Sequence, residues 1–382
     1  MTTCDAIVIG LGGMGGAALY ELARRGHTCL GLEAHGIGHD RGSSHGETRI
    51  IRRAYFEHPD YVPLVNRAYG AWDALQEAVG RELVSRCGVL LAGDPECELM
   101  AGVRETDRVH HIGIERVPPA EAARRYPGFA LDPGAEVLYE PDAGFLRVEE
   151  GVRAHCERAR AHGARIACGE RVLGWECGGG SVRVRTDSNN YTAGALIVCA
   201  GAWSAGVLRE LELPLEVQRT EAYWLRSGDS RYGLAAGCPV FGIQTADGFF
   251  YGFPSTDGAT VKVAEHRGHG VVEDPGALPR EVHAESLERV QGFRRRYLPG
   301  VGGELVRHSP CMYTYSPDGH FIVDRHPAHD HVAFAAGFSG HGFKFAPVVG
   351  AALADLATEG ATELPVGFLS LSRPALRDAP PS

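Results

Sequence analysis

The sequence predicts an α/β protein that begins with a Rossmann-like dinucleotide-binding unit. The apolar, β-rich run "CDAIVIG" (4–10) is typical of a buried strand. It is followed by "GGAALYELARRG" (15–26), where apolar residues recur at helical spacing, and by "HTCLGLE" (27–33), which is typical of a second strand. A strand, a glycine-rich turn, a helix and a strand in this order predict a βαβ unit.

Glycines in the turn and an acidic residue after it have separate roles in nucleotide binding. Gly10 permits the tight turn, Gly12 lets a pyrophosphate approach the backbone, and Gly15 lets helix and strand pack closely. Glu33 ends the second strand, where it can accept hydrogen bonds from ribose hydroxyls and disfavours a 2′-phosphate. The sequence therefore predicts FAD or NAD, with its phosphates at the helix N-terminus.

Later segments return the chain to the first sheet. "SVRVRTDSNNYTAGALIVCAG" (181–201) predicts two strands joined by a polar turn, and "HVAFAAGFSGHGFKFAPVVGAALADLA" (331–357) predicts a strand, a glycine-rich turn and a helix. A chain of 382 residues also exceeds the usual size of one core. We therefore predict a discontinuous dinucleotide-binding domain (1–85, 140–215 and 305–382) and a substrate domain (86–139 and 216–304).

Composition narrows the function classes. A formal net charge of −10 disfavours nucleic acid and anionic membranes as partners. The sequence contains neither a membrane-spanning apolar run nor a signal-peptide pattern, and its ten cysteines include no CxxC pair. We expect a cytoplasmic protein with reduced thiols. No metal site is predicted, since the histidine-rich stretches 109–111 and 326–331 are more typical of polar loops.

Four further stretches carry a family resemblance. They are "GSSHGETRIIRRAY" (42–55), "YGFPSTDGATVKVAEH" (251–266), "SPCMYTYSPD" (309–318) and "GFSGHGFKFAPVVG" (337–350). In this order they resemble signatures of the monomeric sarcosine oxidase family, which includes N-methyltryptophan and pipecolate oxidases. The resemblance implies an FAD domain of the glutathione-reductase type and a mixed-sheet α+β substrate domain. It also implies a monomer that oxidises a secondary amino acid to an imine and reduces O2 to hydrogen peroxide.

Cys311, in "SPCMYT", matches the cysteine that this family joins to the 8α carbon of FAD through a thioether. Forming that bond needs a thiolate, so a neighbouring cation would help by lowering the thiol pKa. His45 and Arg49 in the first matching stretch are the candidates. A buried, inert cysteine is the alternative. By resemblance, further FAD contacts are expected at Ser43, Ser44, Thr48, Val172, Gly201, Met312, Gly340, Gly342 and Lys344.

Arg52 and Lys344 match the residues that grip the substrate carboxylate in the family. Arginine supplies a planar fork and lysine a compact point charge. Because Lys344 lies among glycines and phenylalanines, we expect it to be buried and to have an anionic partner. Tyr251, His266 and Tyr313 match residues that line the family's substrate cavity. His266 is expected to contribute hydrogen bonding and electrostatics.

Lys262 is one of only two lysines in an arginine-rich chain, the other being Lys344. The resemblance implies that Lys262 lies beside the N5 edge of the flavin. An ammonium there concentrates positive charge where O2 is reduced, whereas a broad guanidinium would spread its charge and crowd the ring. Lys262 is therefore the predicted oxygen-activating residue.

Three positions depart from the family pattern. Ser44 stands where a second histidine is expected, and Glu47 stands where an aspartate is expected. Gly242 stands where sarcosine-specific enzymes carry a bulky methionine over the substrate. If Gly242 lines the pocket, the pocket is roomier, and a cyclic or large N-alkyl amino acid is the expected substrate.

Two other functions remain open at this stage. One is a flavin dehydrogenase that passes electrons to a carrier instead of O2, which the absence of peroxide in air would reveal. The other is a dinucleotide-binding protein without redox turnover, which would be colourless when purified.

Overall fold

The structure is a computed structural model that describes residues 2–377. Within that range the strands are β1 (Thr2–Ile9), β2 (Cys29–Glu33), β3 (Thr48–Ile51), β4 (Val84–Arg86), β5 (Val89–Gly93), β6 (Glu115–Arg116), β7 (Glu136–Glu140), β8 (Gly144–Arg147), β9 (Arg165–Cys168), β10 (Val172–Gly178), β11 (Ser181–Thr186), β12 (Asn190–Val198), β13 (Glu216–Arg226), β14 (Val240–Thr245), β15 (Gly248–Phe253), β16 (Thr260–Glu265), β17 (Leu305–Tyr315), β18 (Ile322–His326) and β19 (His329–Ala336). The helices are α1 (Gly13–Arg24), α2 (Tyr61–Val79), α3 (Glu98–His110), α4 (Pro119–Arg125), α5 (Val148–Ala161), α6 (Ser204–Val207), α7 (Ala284–Tyr297), α8 (Ala346–Thr358) and α9 (Pro374–Arg377).

The first sheet has eight strands, and its central part is parallel. β1 pairs in parallel with β2 and β12, and β19 continues the parallel pairing beyond β12. Both faces of β1 are buried, since Ala6 and Val8 pack with helices α1, α5 and α8, while Ile7 and Ile9 pack into a second apolar cluster. Coverage on both faces is what a parallel sheet requires. The predicted βαβ unit is confirmed.

The turn after β1 needs its glycines for steric reasons. Gly10 has a φ of +82°, and a Cβ there would lie 2.4 Å from the carbonyl oxygen of Cys199. A Cβ on Gly15 would lie 1.8 Å from the carbonyl oxygen of Gly10. The helix can therefore begin directly above the sheet only if both positions lack a side chain.

The second sheet also has eight strands, in the order β17-β13-β16-β15-β14-β5-β7-β6. Only the β5–β14 pair within this order is parallel, so the sheet is mixed, as expected for the fold class. β17 pairs with β13 here, although the predicted division assigned 305–382 to the other domain. Strand alternation predicts a strand but does not identify its sheet. The division into two domains stays a prediction.

A small third sheet joins β3, β8 and β4. Helix α5 begins directly after β8, and the backbone N–H of Val148 donates to the carbonyl oxygen of Glu47 at 2.8 Å. The start of α5 therefore lies against the turn that precedes β3. In residues 2–377 no helix is long and apolar enough to cross a membrane. The same residues contain no group of three or more histidine, cysteine or acidic side chains arranged to hold a metal ion.

Gly242 does not leave open space in the second sheet. It pairs with Tyr251 across β14 and β15, and a Cβ there would lie 2.9 Å from the ring of Phe249 and 3.0 Å from Leu91. Phe249 is a diagonal neighbour on β15, within reach of an aromatic side chain. The glycine at position 242 therefore does not by itself open space in the pocket. The ring of Phe249 on the adjacent strand β15 fills the space that a side chain at position 242 would occupy.

This packing predicts the effect of Gly242→Ala on stability. Removing glycine from a strand gains about 0.5–1 kcal/mol, but overpacking against Phe249 and Leu91 costs about 1–3 kcal/mol. We expect a net loss of about 1 kcal/mol in the free energy of unfolding, measured by urea denaturation. In the Phe249→Ala background Leu91 can shift into the vacated space, so the same substitution should become neutral or stabilising. Strictly additive costs in the double variant would contradict this account.

Candidate active site

A cavity of about 860 Å³ extends between the two large sheets. One end is formed by the glycine turn after β1, and the other by aromatic and charged side chains on β15, β17 and the loop after β3. Predicted site residues that line it are Gly10, Gly12, Glu33, Ser43, Ser44, Arg49, Arg52, Val172, Gly201, Tyr251, His266, Met312, Tyr313, Gly340, Gly342 and Lys344. Those outside the lining are Gly15, His45, Thr48, Gly242, Lys262 and Cys311.

The glycine-turn end fits a dinucleotide such as FAD. Glu33 is buried; one carboxylate oxygen accepts from the N–H of Leu11 and the other from the N–H of His35, both at 2.9 Å, and His39 Nε2 lies 3.2 Å away. Burial raises the pKa of Glu33, but these donors outweigh it, so the pKa is lowered and the carboxylate stays ionised. Gly12 offers a bare backbone at the helix start, where phosphate would bind.

Cys311 lies beside this cavity in a cluster with two of the predicted residues. Its Sγ is 3.8 Å from Arg49 Nη2 and 3.9 Å from the carbonyl oxygen of Ser43. Burial raises the pKa of the thiol, but His45 and then Arg49 lower it by more than burial raises it, so the pKa is about 7. His45 Nε2 is buried and has no hydrogen-bond partner within residues 2–377. A large share of this thiol is therefore the reactive thiolate at neutral pH.

Lys262 is buried near Arg49. Its Nζ donates to the carbonyl oxygens of Gly46 and Thr48 at 2.5 and 3.0 Å and to Thr48 Oγ1 at 3.1 Å. Burial and the positive charge of Arg49 lower its pKa well below the usual value. Lys262 lines a second cavity, of about 840 Å³, rather than the first. It still comes close to the first, since a Cβ on Gly46 would be 3.6 Å from Arg49 Nη1 and 3.9 Å from Lys262 Nζ.

Arg52 is paired with a carboxylate that sequence reasoning missed. Its Nη2 donates to both oxygens of Glu57 at 2.8 and 3.0 Å, and its Nη1 donates to the carbonyl oxygen of Ala54. Burial raises the pKa of Glu57, but Arg52 and then His341 and Lys344 lower it to about 2. The only sequence signal for Glu57 is an acidic residue five positions after Arg52 in the same loop.

Lys344 is buried as expected, but its Nζ donates to the backbone oxygen of His341 at 2.8 Å instead of to a carboxylate. The ammonium also lies 5.0 Å from the centre of the Tyr55 ring. Burial and then the charge of Arg52 lower its pKa to about 7, although Glu57 acts in the opposite direction. Arg52, Lys344 and Glu57 together leave one net positive charge when Lys344 is protonated, which suits a small anionic group.

The three predicted cavity-lining residues form one hydrogen-bonded group. Tyr313 OH lies 3.4 Å from Tyr251 OH and 3.3 Å from His266 Nδ1. Burial lowers the pKa of His266 to about 4, so this imidazole is neutral at physiological pH. Phe249 also lines the cavity and packs edge-on against Phe56, with ring centres 5.7 Å apart. No pattern in the sequence indicated Phe249, because its importance comes from the space beside Gly242.

Comparisons with known proteins identify the family of the chain. The family model described as FAD dependent oxidoreductase matches residues 5–356. The chain is 40% identical to the monomeric sarcosine oxidase of Streptomyces avermitilis, with 99% of both chains covered. It is 33% identical to the N-methyl-L-tryptophan oxidase of Yersinia pestis, covering 97% of this chain and 99% of the relative.

Among solved structures, the chain is similar to NikD, described as an unusual amino acid oxidase essential for nikkomycin biosynthesis. The TM-score is 0.86 at 25% identity, and the match covers 97% of this chain and 98% of NikD. The near-complete coverage by the family model and by relatives above 30% identity decides the classification. This chain belongs to the FAD-dependent oxidoreductase family, in which it is similar to the monomeric sarcosine and N-methyl-L-tryptophan oxidases.

Proposed function

We propose that the protein is a flavoprotein oxidase that converts the C–N single bond of a secondary amino acid to an imine and reduces O2 to hydrogen peroxide. The observation that carries the proposal is the net positive charge of Arg52, Lys344 and Glu57 beside a cavity that fits FAD. FAD, when bound, accepts two electrons from the substrate and transfers them to O2. The substrate loses two electrons and two protons, O2 gains the same, and the imine then hydrolyses in water.

The protein's own residues bind and orient this substrate. Lys344 and Arg52 hold the carboxylate, with Arg52 giving up part of its contact with Glu57. Neutral His266 and the phenols of Tyr251 and Tyr313 hydrogen-bond the amine end and limit the water around it. A neutral imidazole suits this place, because a nearby cation would repel an ammonium substrate.

The NikD similarity and the two oxidase relatives favour O2 over another electron acceptor. Lys262 is the residue proposed to stabilise negative charge as O2 is reduced. Its ammonium is already held by two carbonyl oxygens, so its position does not depend on a ligand. A preorganised charge costs no reorganisation when the reaction occurs. We further propose that the enzyme acts as a cytoplasmic monomer.

The first prediction of the proposed function concerns attachment of FAD to Cys311 through an 8α-S-cysteinyl bond. The low thiol pKa and the nearby Arg49 support attack by a thiolate. Acid-precipitated and washed protein should stay yellow, whereas Cys311→Ala should release the colour into the supernatant. Cys199→Ala is a matched control, since this half-buried cysteine lines the cavity but has a raised thiol pKa. Colour lost from the precipitated wild type would disprove covalent attachment.

The second prediction concerns the pH dependence of carboxylate binding. The pKa of Lys344 is lowered to about 7, so its ammonium is present below that pH and is lost as pH rises through it. The pKa values of His266, His341 and Glu57, at about 4, 3 and 2, lie well below this range. Acetate affinity, measured by flavin absorbance, should therefore fall above about pH 7. Lys344→Met should bind acetate weakly with no such inflection; an unchanged inflection would rule out Lys344.

The third prediction separates the two half-reactions. Lys262→Met should keep FAD bound and leave anaerobic flavin reduction by substrate largely intact, because Lys262 does not line the substrate cavity. Reoxidation by O2 should slow by about 10²–10³-fold, the usual effect of losing one preorganised charge-stabilising group. Rapid-mixing absorbance measures each half-reaction separately. Reoxidation at the wild-type rate would show that Lys262 is not the oxygen-activating residue.

A further inference from the structure

Glu149 is the second residue of α5 and closes the turn before β3. One carboxylate oxygen accepts from the backbone N–H of Gly46 at 2.7 Å, and the other accepts from the N–H of Glu47 at 3.0 Å. Both turn residues have left-handed backbones, with φ of +90° at Gly46 and +68° at Glu47. A non-glycine residue in that region is unfavourable unless its surroundings hold it there. The two hydrogen bonds from Glu149 supply that restraint.

The same turn supplies the acceptors of Lys262. Gly46 donates its N–H to Glu149 and accepts from Lys262 Nζ through its carbonyl oxygen. The carbonyl oxygen and hydroxyl of Thr48 complete the contacts of the ammonium. The orientation of the Lys262 acceptors therefore follows from the conformation that Glu149 stabilises.

Glu149 also contributes to the charge balance of this region. Burial raises its pKa, but the N–H donors and then Arg49 outweigh that effect, so the carboxylate remains ionised. Lys262 faces a second cation, Arg49, and three groups that favour its charged form: Glu47, Glu149 and Cys311. Negative charge near two enclosed cations offsets part of their desolvation cost.

The other neighbours of Lys262 are two aromatic rings and Glu47, and Glu47 raises the pKa of Lys262 more than Glu149 does. The rings of Trp224 and Phe253 lie 5.2 and 4.6 Å from its Nζ and are uncharged. The side chain of Glu47 is 47% exposed, and its carboxylate accepts from Trp224 Nε1 and Arg307. Solvent and Arg307 therefore screen the charge of Glu47. Glu149 is the less exposed carboxylate of the two.

We propose that Glu149 is a positioning residue for the oxygen half-reaction, because it holds the Gly46–Glu47 turn that orients Lys262. Its carboxylate also supplies negative charge that offsets the repulsion between Lys262 and Arg49. The inference rests on the role proposed above for Lys262. Glu149 does not line the cavity that fits FAD and acts only through Lys262 and the turn.

Because the chain has so few lysines, the pKa of Lys262 can be measured from its own side-chain signal. With only two lysines, holoenzyme labelled with ¹³Cε-lysine gives two side-chain signals, which Lys262→Met and Lys344→Met assign. In Glu149→Gln the pKa of Lys262, read from its titration, should fall by about one unit or more, because an opposite charge is lost. The pKa of Lys344 should not change, since it depends on burial and then on Arg52 and Glu57. An unchanged Lys262 titration in folded Glu149→Gln overturns the proposal.

Glu150→Gln is the matched control. This adjacent carboxylate pairs with Arg153 at 2.7 Å and Arg81 at 3.4 Å, and its side chain is 42% exposed. Its removal should leave both lysine titrations at their wild-type positions; a shift in Lys262 equal to that in Glu149→Gln would indicate a general charge effect and overturn the specific role. If Glu149→Gln does not fold, Glu149→Asp replaces it. Its shorter side chain cannot reach both N–H groups, so the Lys262 pKa should move in the same direction by less, and no movement counts against the proposal.

Rapid mixing provides the functional readout. In Glu149→Gln, reoxidation should slow about tenfold at a pH above the Lys262 pKa, since one unit lowers the charged fraction tenfold. The pH profile of reoxidation should move to lower pH, while anaerobic flavin reduction keeps its wild-type rate. The two possible failures are distinguishable. Wild-type reoxidation in Lys262→Met removes the proposed oxygen site, whereas a Lys262 titration unchanged by Glu149→Gln removes only the role of Glu149.

Discussion

The loop 43–48 holds two enclosed cations with the carbonyl oxygens of one short stretch of backbone. Arg49 donates to the carbonyl oxygens of Ser43 and Thr48, and Lys262 donates to those of Gly46 and Thr48. An enclosed charge is costly unless it is hydrogen-bonded, so both cations depend on the exact course of this loop. The loop in turn contacts the start of α1 and the second sheet, since Ser44 Oγ accepts from Gly13 N–H and Ser43 Oγ donates to Met312 O. The charged part of the site is thereby connected to the nucleotide turn.

Charge is distributed differently at the two ends of the aromatic part of the cavity. Near the loop, His45 and then Arg49 lower the pKa of Cys311, and burial and then Arg49 lower the pKa of Lys262. Farther along, Arg52 is already matched by Glu57, and Lys344 is left with a pKa near 7. Between them, Tyr251, Tyr313 and His266 are uncharged near neutral pH. In the function proposed above, the substrate carboxylate therefore meets charge at one end of the cavity, and the amine meets a neutral, hydrogen-bonding surface.

At two residues, the packing in the folded chain differs from what the sequence suggested. Gly242 suggested extra space when considered alone, yet Phe249 on the neighbouring strand fills that space. Lys344 suggested an anionic partner, yet a backbone carbonyl and an aromatic ring surround its ammonium. Phe249 lies on a different strand from Gly242, and the Tyr55 ring is far from Lys344 along the chain, whereas the carbonyl oxygen of His341 belongs to the same turn as Lys344. The contact is decided by the pairing register and the loop conformation, which a single sequence does not display.

The sequence by itself determined the elements whose signals are local. Apolar periodicity and backbone-demanding glycines specify the βαβ unit, and short motifs identify the loop 42–55, the Lys262 strand and the Cys311 strand, because each depends on residues close together in the chain. The tertiary structure alone decided that β17 joins the second sheet and that Glu57 pairs with Arg52. It also decided that Glu149 closes the turn whose carbonyl oxygen accepts from Lys262. Glu149 and Lys262 are separated by more than a hundred positions, and only the folded chain brings their charges together. Coulomb interactions and hydrogen bonds depend on distance in space, whereas the patterns in a sequence report distance along the chain.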